Sequence, residues 1–225
     1  MALLNDVSLY LNVDEFERSY GSDFQFRGRY LCNFVRRGLR RKRCMVTGFG
    51  SVAIQGTVAN GGGCEVRGER VLVSRVPFDV VEYERVVEWR RSNGDGHEYH
   101  EFFVRMLADG VRQCPSEYGL PIAVIEAEVE EFRAGGYRNE WVHCRRVFKG
   151  EGVVATLMCA MDTESFVLRL VVERRAVVVC NAIVLKCKPD ELIFEYQFKD
   201  VKLVGGNVVV LDKFDREVFS VGLGG

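Results

Sequence analysis

Three histidines are the side chains of this 225-residue chain best suited to metal or acid–base chemistry. Two of them share the stretch GDGHEYHEF, where His97 and His100 bracket Glu98. A zincin helix needs HExxH, with both imidazoles on one face four residues apart and the glutamate placed as a general base. Here the spacing is three, and Glu98 stands in the wrong register. A pair at i and i+3 still ligates a metal if a third ligand joins it, and the remaining histidine is His143, beside Cys144. A metal-dependent enzyme using His97, His100 and His143 is therefore the enzymatic alternative. The pattern favours structural histidines flanking an apolar stripe, so no catalytic residue, metal or cofactor is assigned. Cys144 and His143 make no nucleophile–base pair, because neighbours in a strand point to opposite faces. Gly48 and Gly50 in GFGSVAIQG lack the strand–loop–helix setting of a dinucleotide site.

Charge is the second candidate chemistry. FVRRGLRRKRC places Arg36, Arg37, Arg40, Arg41, Lys42 and Arg43 close together, and EAEVEE places Glu126, Glu128, Glu130 and Glu131 on a predicted helix. A nucleic-acid-associated protein would use the basic run 36–43. Phosphate binding is driven by counterion release and favours an excess of cations. The chain carries 31 basic against 32 acidic side chains, a net charge of −1. With Phe49 as the nearby aromatic, a base-stacking platform is lacking, and no nucleic-acid partner is expected. The basic run reads instead as a solvated hairpin between two strands, turned at Gly38. Replacing Arg40, Arg41, Lys42 and Arg43 by serine is then expected to change stability within about ±0.5 kcal/mol. The paired carboxylates Asp14/Glu15, Glu130/Glu131 and Asp190/Glu191 suit helix starts and outer faces. As partner-binding surfaces, the acidic helix around Glu128 and Glu131 ranks first and the basic hairpin second.

The elements that must position these groups follow from periodicity. Apolar residues make up 48% and charged residues 28%, a globular composition. The N-terminal stretch lacks a cationic leader pattern and no apolar run reaches membrane-spanning length, so a cytoplasmic protein without a membrane partner is expected. Its 8 cysteines form no CxxC pair and read as reduced, mostly buried thiols. Strands are predicted at 7–13, from Phe26 to about Arg37, from Cys44 onward and near 70–76, with a turn at 60–63. Amphipathic helices follow at HEYHEFFVRMLADGV and PIAVIEAEVEEF, then strands at 141–148, 153–161, 165–173 and 177–185. PDELIFEYQF reads as a short helix or extended segment, and DKFD as a hairpin turn. The fold class is α+β: largely antiparallel sheets with a few amphipathic helices. RSNGDG (91–96) is the linker candidate, dividing an N-terminal α+β unit, 1–92, from a helical connection plus C-terminal α+β unit, 93–225. VDEFERSYGSDF resembles VEEFRAGGYRNEW, and PFDVVEYERV resembles PDELIFEYQFKDV, in the same order. This suggests an internal duplication of one α+β unit.

GGYRNEWVHCRRVFKG, followed by antiparallel strands and the closing VVVLDKFDREVFSV, resembles bacterial immunity proteins of polymorphic-toxin systems, over about half the chain. The resemblance implies a cytoplasmic antitoxin, a small inhibitor that binds one cognate toxin domain stoichiometrically and occludes its active site. It carries no residue-level mechanism and needs no cofactor.

Overall fold

The first half of the chain is built on strands of which two, further on, are buried on both faces. After a two-residue strand β1 (Ala2–Leu3), β2 (Asp6–Leu11) alternates half-buried and buried residues. Helix α1 (Arg18–Lys42) and the short β3 (Met45–Val46) precede β4 (Ser51–Thr57), which is buried at every position after Ser51. β5 (Gly63–Arg67) and β6 (Val71–Pro77) complete the set, followed by α2 (Val80–Asn93), α3 (His97–Arg112) and α4 (Ile122–Ala134). β2, β4 and β6 run parallel in the order β2-β4-β6-β5, and β5 closes one edge antiparallel to β6. Helix α1 makes the crossover from β2 to β4, the edge strand β5 lies in the connection from β4 to β6, and the sheet is covered by α1 on β2 and by α3 on β4 and β6. That is why SVAIQGT and VLVSRVP are nearly continuous apolar runs.

This computed structural model describes residues 2–59, 62–68, 70–93 and 96–223. The chain divides into two compact units, Met1–Tyr137 and Arg138–Gly225. The division therefore falls after Tyr137 and not between residues 92 and 93. Of the expected linker 91–96, Arg91 to Asn93 end α2 and Gly96 precedes α3, while Gly94 and Asp95 lie outside the described residues. Asn60 and Gly61 of the expected turn 60–63 lie outside them as well.

The stretch from Phe26 to Arg37 was expected to be a strand, and it is helical. The alternation of Phe26, Tyr30, Cys32 and Phe34 is overridden by a longer 3.6-residue period. Phe24, Gly28, Leu31, Val35 and Leu39 fall on one buried stripe, with Tyr30 and Cys32 beside it. The arginines between them are good helix formers. The cationic run is thus no hairpin: Arg40, Arg41 and Lys42 are the last turn of α1, where positive charge complements the helix dipole. Arg43 ends the helix in the left-handed conformation, at φ 52°.

Aromatic rings dominate the core of this unit. Phe24 contacts Phe78, Tyr83 and Phe103, with ring centroids 5.3 to 5.5 Å apart. The chain of rings continues through Tyr99 and His100 to Tyr30, Phe132 and Phe34. Each well-placed pair contributes about 0.5–1.5 kcal/mol beyond its burial. α3 packs its Tyr99, Phe102, Phe103, Met106 and Gly110 face inward, as its spacing predicts.

The second unit is antiparallel. β7 (Asn139–Phe148), β8 (Val153–Met161), β9 (Phe166–Arg174) and β10 (Val177–Cys187) form a meander. The short helix α5 (Glu191–Phe194) leads to a second sheet of β11 (Asp200–Val204), β12 (Asn207–Leu211) and β13 (Glu217–Gly222). β7 lies beside β11, and β10 beside β13. Between them the inward residues of β8 and β9 are almost fully buried with Phe194, Phe198, Val201, Val208 and Val210, and the ring of Phe166 stacks on Phe194 at 3.7 Å. The hairpin turn at DKFD is held by Asp212, whose carboxylate accepts from the amides of Phe214 and Arg216 and from the Arg216 guanidinium.

The fold is α+β. The expected duplication fails on topology: the first unit is a mixed, mainly parallel sheet with helices, the second an antiparallel meander. Residues 13–24 form a loop and the start of α1, whereas 129–141 form the end of α4 and the start of β7. Short acidic–aromatic matches arise on unrelated elements. Among the described residues no helix is long and apolar enough to cross a membrane.

Candidate interaction face

The two charged stretches singled out from the sequence meet each other. Glu128 lies on the inward side of α4, 1% exposed, against the end of α1. Its carboxylate pairs with Lys42 Nζ at 2.9 Å and with Arg41 at 3.3 Å, and Arg41 also reaches Glu131 at 3.7 Å. Gly38 makes this approach feasible, because a Cβ there would overlap the Glu128 carboxylate. Glu126 pairs with Arg112 at 2.6 Å, and Glu130 with Arg133 one turn away. Arg36 pairs with Asp6 at 3.7 Å, and the Arg37 guanidinium stands over the Phe34 ring. Arg40 and Arg43 are exposed. Much of the charge read as two docking surfaces is thus spent inside one unit, joining α1 to α4.

The histidines are also parts of internal networks. The Tyr137 hydroxyl lies 2.8 Å from Glu101 Oε1 and 2.9 Å from His97 Nδ1, and Arg133 clamps Glu101 with two nitrogens at 2.8 Å each. The Arg133 and Tyr137 hydrogen bonds hold the Glu101 carboxyl below the usual glutamate range. Burial, with the Glu101 bond, pushes the Tyr137 phenol up to about 12, so it remains a proton donor at neutral pH. His100 Nδ1 lies 2.5 Å from the Tyr30 hydroxyl, and its ring stacks on Tyr137 at 4.8 Å. His143 sits at a bulge in β7, in the other unit, with Nε2 3.1 Å from the Lys199 carbonyl. Among the described residues no cluster of three or more His, Cys, Asp or Glu side chains is arranged to hold a metal ion. The His97 and His100 contacts join α3 to α1 and to Tyr137 beyond α4.

The outer face of the β7–β10 sheet is of a different kind. Residues paired across antiparallel strands share a face, so the register defines its rows. Val147, Val154, Glu173 and Val178 form one row, and Arg145, Thr156, Val171 and Asn181 the next. Val142, Met158, Arg169 and Ile183 form the third, and Glu140, Ala160, Val167 and Lys186 the fourth. The exposures are large for apolar side chains: Val142 54%, Val147 52%, Val178 53% and Ile183 51%. Arg169 crosses the middle and donates to Asn181 Oδ1 at 2.9 Å. A face that groups exposed valines, Met158 and Ile183 around Arg169, with further charged residues at its edges, is the mixed apolar and charged surface that protein interfaces use. The sequence reading missed it. Its signal was present in VVATLMCAM, FVLRLVVER and VVVCNAIVL, which are apolar in both phases of the strand alternation, whereas a half-solvated strand is apolar in one.

Compared with known proteins, the chain matches no family model, no curated protein and no solved structure.

Proposed function

We propose that this chain is an immunity protein: it binds a cognate bacterial toxin domain stoichiometrically and occludes it. The observation that carries the reading is the exposed apolar outer face of the β7–β10 sheet, centred on Val142, Met158 and Ile183. It is supported by the resemblance of this same region to immunity proteins. Glu140, Arg145, Glu173 and Lys186 at its margins supply the charges that steer association, while the valines, Met158 and Ile183 supply the area that holds it. A stable inhibitor interface buries about 1,600 Å² in total, so the sheet face serves as its centre and neighbouring polar residues as its rim.

The test is co-expression with the toxin domain encoded beside it. Growth rescue and co-purification at a fixed ratio are expected. The double variant Val142→Glu and Ile183→Glu should lose both while keeping its unfolding midpoint, since the two side chains are already half in solvent. Rescue at strongly substoichiometric amounts would mean catalytic reversal of damage and would overturn the reading. Rescue by the double variant at full strength would move the interface elsewhere.

A further inference from the structure

The first unit contains two free thiols that its other interactions leave in register. Cys64 lies in the edge strand β5, and Cys114 follows the end of α3. Both are reduced in this structure, with their sulfurs 3.0 Å apart. The surroundings hold this geometry from both sides. Ser74 Oγ donates to the Gly110 carbonyl at 2.6 Å, and Gln113 Nε2 donates to Ser74 Oγ at 2.6 Å, which docks the end of α3 on β6. The Cys114 thiol also reaches the Gly110 carbonyl at 3.3 Å. On the other side, β5 is fixed by its pairing with β6 from Gly63 to Arg67, and the Tyr118 hydroxyl donates to the Cys64 carbonyl at 3.3 Å. Closing the 3.0 Å gap to a bond of about 2.05 Å brings the two sulfurs together by about 1 Å.

We propose that Cys64 and Cys114 form a reversible disulfide in response to peroxide, tying the edge strand β5 to the end of α3. The asymmetry between the two sites orders the steps. Cys114 is buried, 5% exposed, whereas Cys64 is half-exposed. Burial and the neighbouring Cys64 sulfur push the Cys114 thiol up to about 12, so it stays protonated at neutral pH. Cys64 is therefore the sulfur that meets the oxidant. Its thiolate attacks one oxygen of hydrogen peroxide, the O–O bond breaks, and a sulfenic acid and hydroxide form. The Cys114 sulfur then attacks the Cys64 sulfur, the S–O bond breaks, and the thiol proton leaves with the hydroxyl as water. In sum, two thiols and one peroxide give one disulfide and two waters. A small-molecule dithiol returns the pair to its reduced state by exchange. The bond closes a long loop, since the two residues are 50 apart in sequence, and it pins the one antiparallel strand of the first sheet.

The experiment uses the full chain. It is treated with stoichiometric hydrogen peroxide, unfolded in the presence of an alkylating agent and weighed intact, then digested and mapped. The expected result is two protected thiols of the 8, a single cross-linked peptide joining Cys64 to Cys114, and full reversal by dithiothreitol. The oxidised form should unfold roughly 10 °C higher, the shift expected for a loop of this length in a unit of this size. Cys64→Ser and Cys114→Ser variants should each fold as the reduced protein does and gain no thermal shift on oxidation. Finding all thiols alkylatable, Cys64 oxidised irreversibly without a cross-link, or a bond joining other cysteines would overturn the proposal. None of these outcomes depends on partner binding.

Discussion

At the residue scale the contact between Gly38 and Glu128 shows two rules in opposition. In an exposed helix, alanine in place of glycine gains about 1 kcal/mol of propensity. At position 38 the added methyl meets a buried carboxylate held by Lys42 and Arg41, and overpacking costs about 1–3 kcal/mol. Gly38→Ala is therefore expected to destabilise the protein by about 1–2 kcal/mol in urea unfolding. In a Glu128→Ala background the obstacle is gone, and the same substitution should become neutral or stabilising. A second test concerns Glu101, whose carboxyl the Arg133 and Tyr137 hydrogen bonds hold below its ordinary value. A carboxyl with a depressed folded-state value adds stability that is present above about pH 4.3, the unfolded value, and lost as pH falls through the folded one. Glu101→Gln should accordingly cost about 1 kcal/mol at pH 7, below the about 1.5–3 kcal/mol of a buried charged hydrogen bond because the pair is partly solvated. That gap should shrink steadily below pH 4 in the same unfolding measurement. A gap independent of pH would assign the loss to packing.

Elements were legible to the extent that their signals were local. The helices at 97–112 and 122–134 and the four strands from 139 to 187 follow from periodicity and from turn residues around them. α1 was not legible, because its residues 26–37 satisfy a two-residue alternation by chance and the helix that decides the matter runs over 25 residues. Nor was the partner of its cationic end, because Arg41 and Glu128 are 87 residues apart and their meeting depends on how α1 and α4 pack. The consequence reverses the expectation for the basic run. Replacing Arg40 and Arg43, which are exposed, should still change stability within about ±0.5 kcal/mol. Replacing Arg41 and Lys42 together by serine strands a carboxylate that is 1% exposed, and stranding a buried charge costs about 3–5 kcal/mol. Thermal melts of the two double variants check this directly: equal midpoints would return the run to the solvated role that its composition suggests.

On the scale of the whole molecule, the division after Tyr137 separates two cores of different construction. The first is an aromatic chain between helices and a mainly parallel sheet, the second an aliphatic interior between antiparallel sheets, with Phe166, Phe194 and Phe198 at one end. A unit with its own core is expected to fold alone. A fragment beginning at Arg138 keeps every strand of the second unit and both sheets intact. It should show a cooperative unfolding transition by circular dichroism and fluorescence. If the outer face of β7–β10 is the site of toxin recognition, this fragment should also retain most of the affinity of the full chain, and residues 1–137 should retain none. Titration calorimetry of both fragments against the toxin domain separates the alternatives. Binding by the 1–137 fragment would reassign recognition to the first unit, with the exposed Arg40 and Arg43 at the end of α1 as the surface to examine. Loss of binding in both fragments, with each still folded, would overturn the assignment of recognition to the outer face of β7–β10.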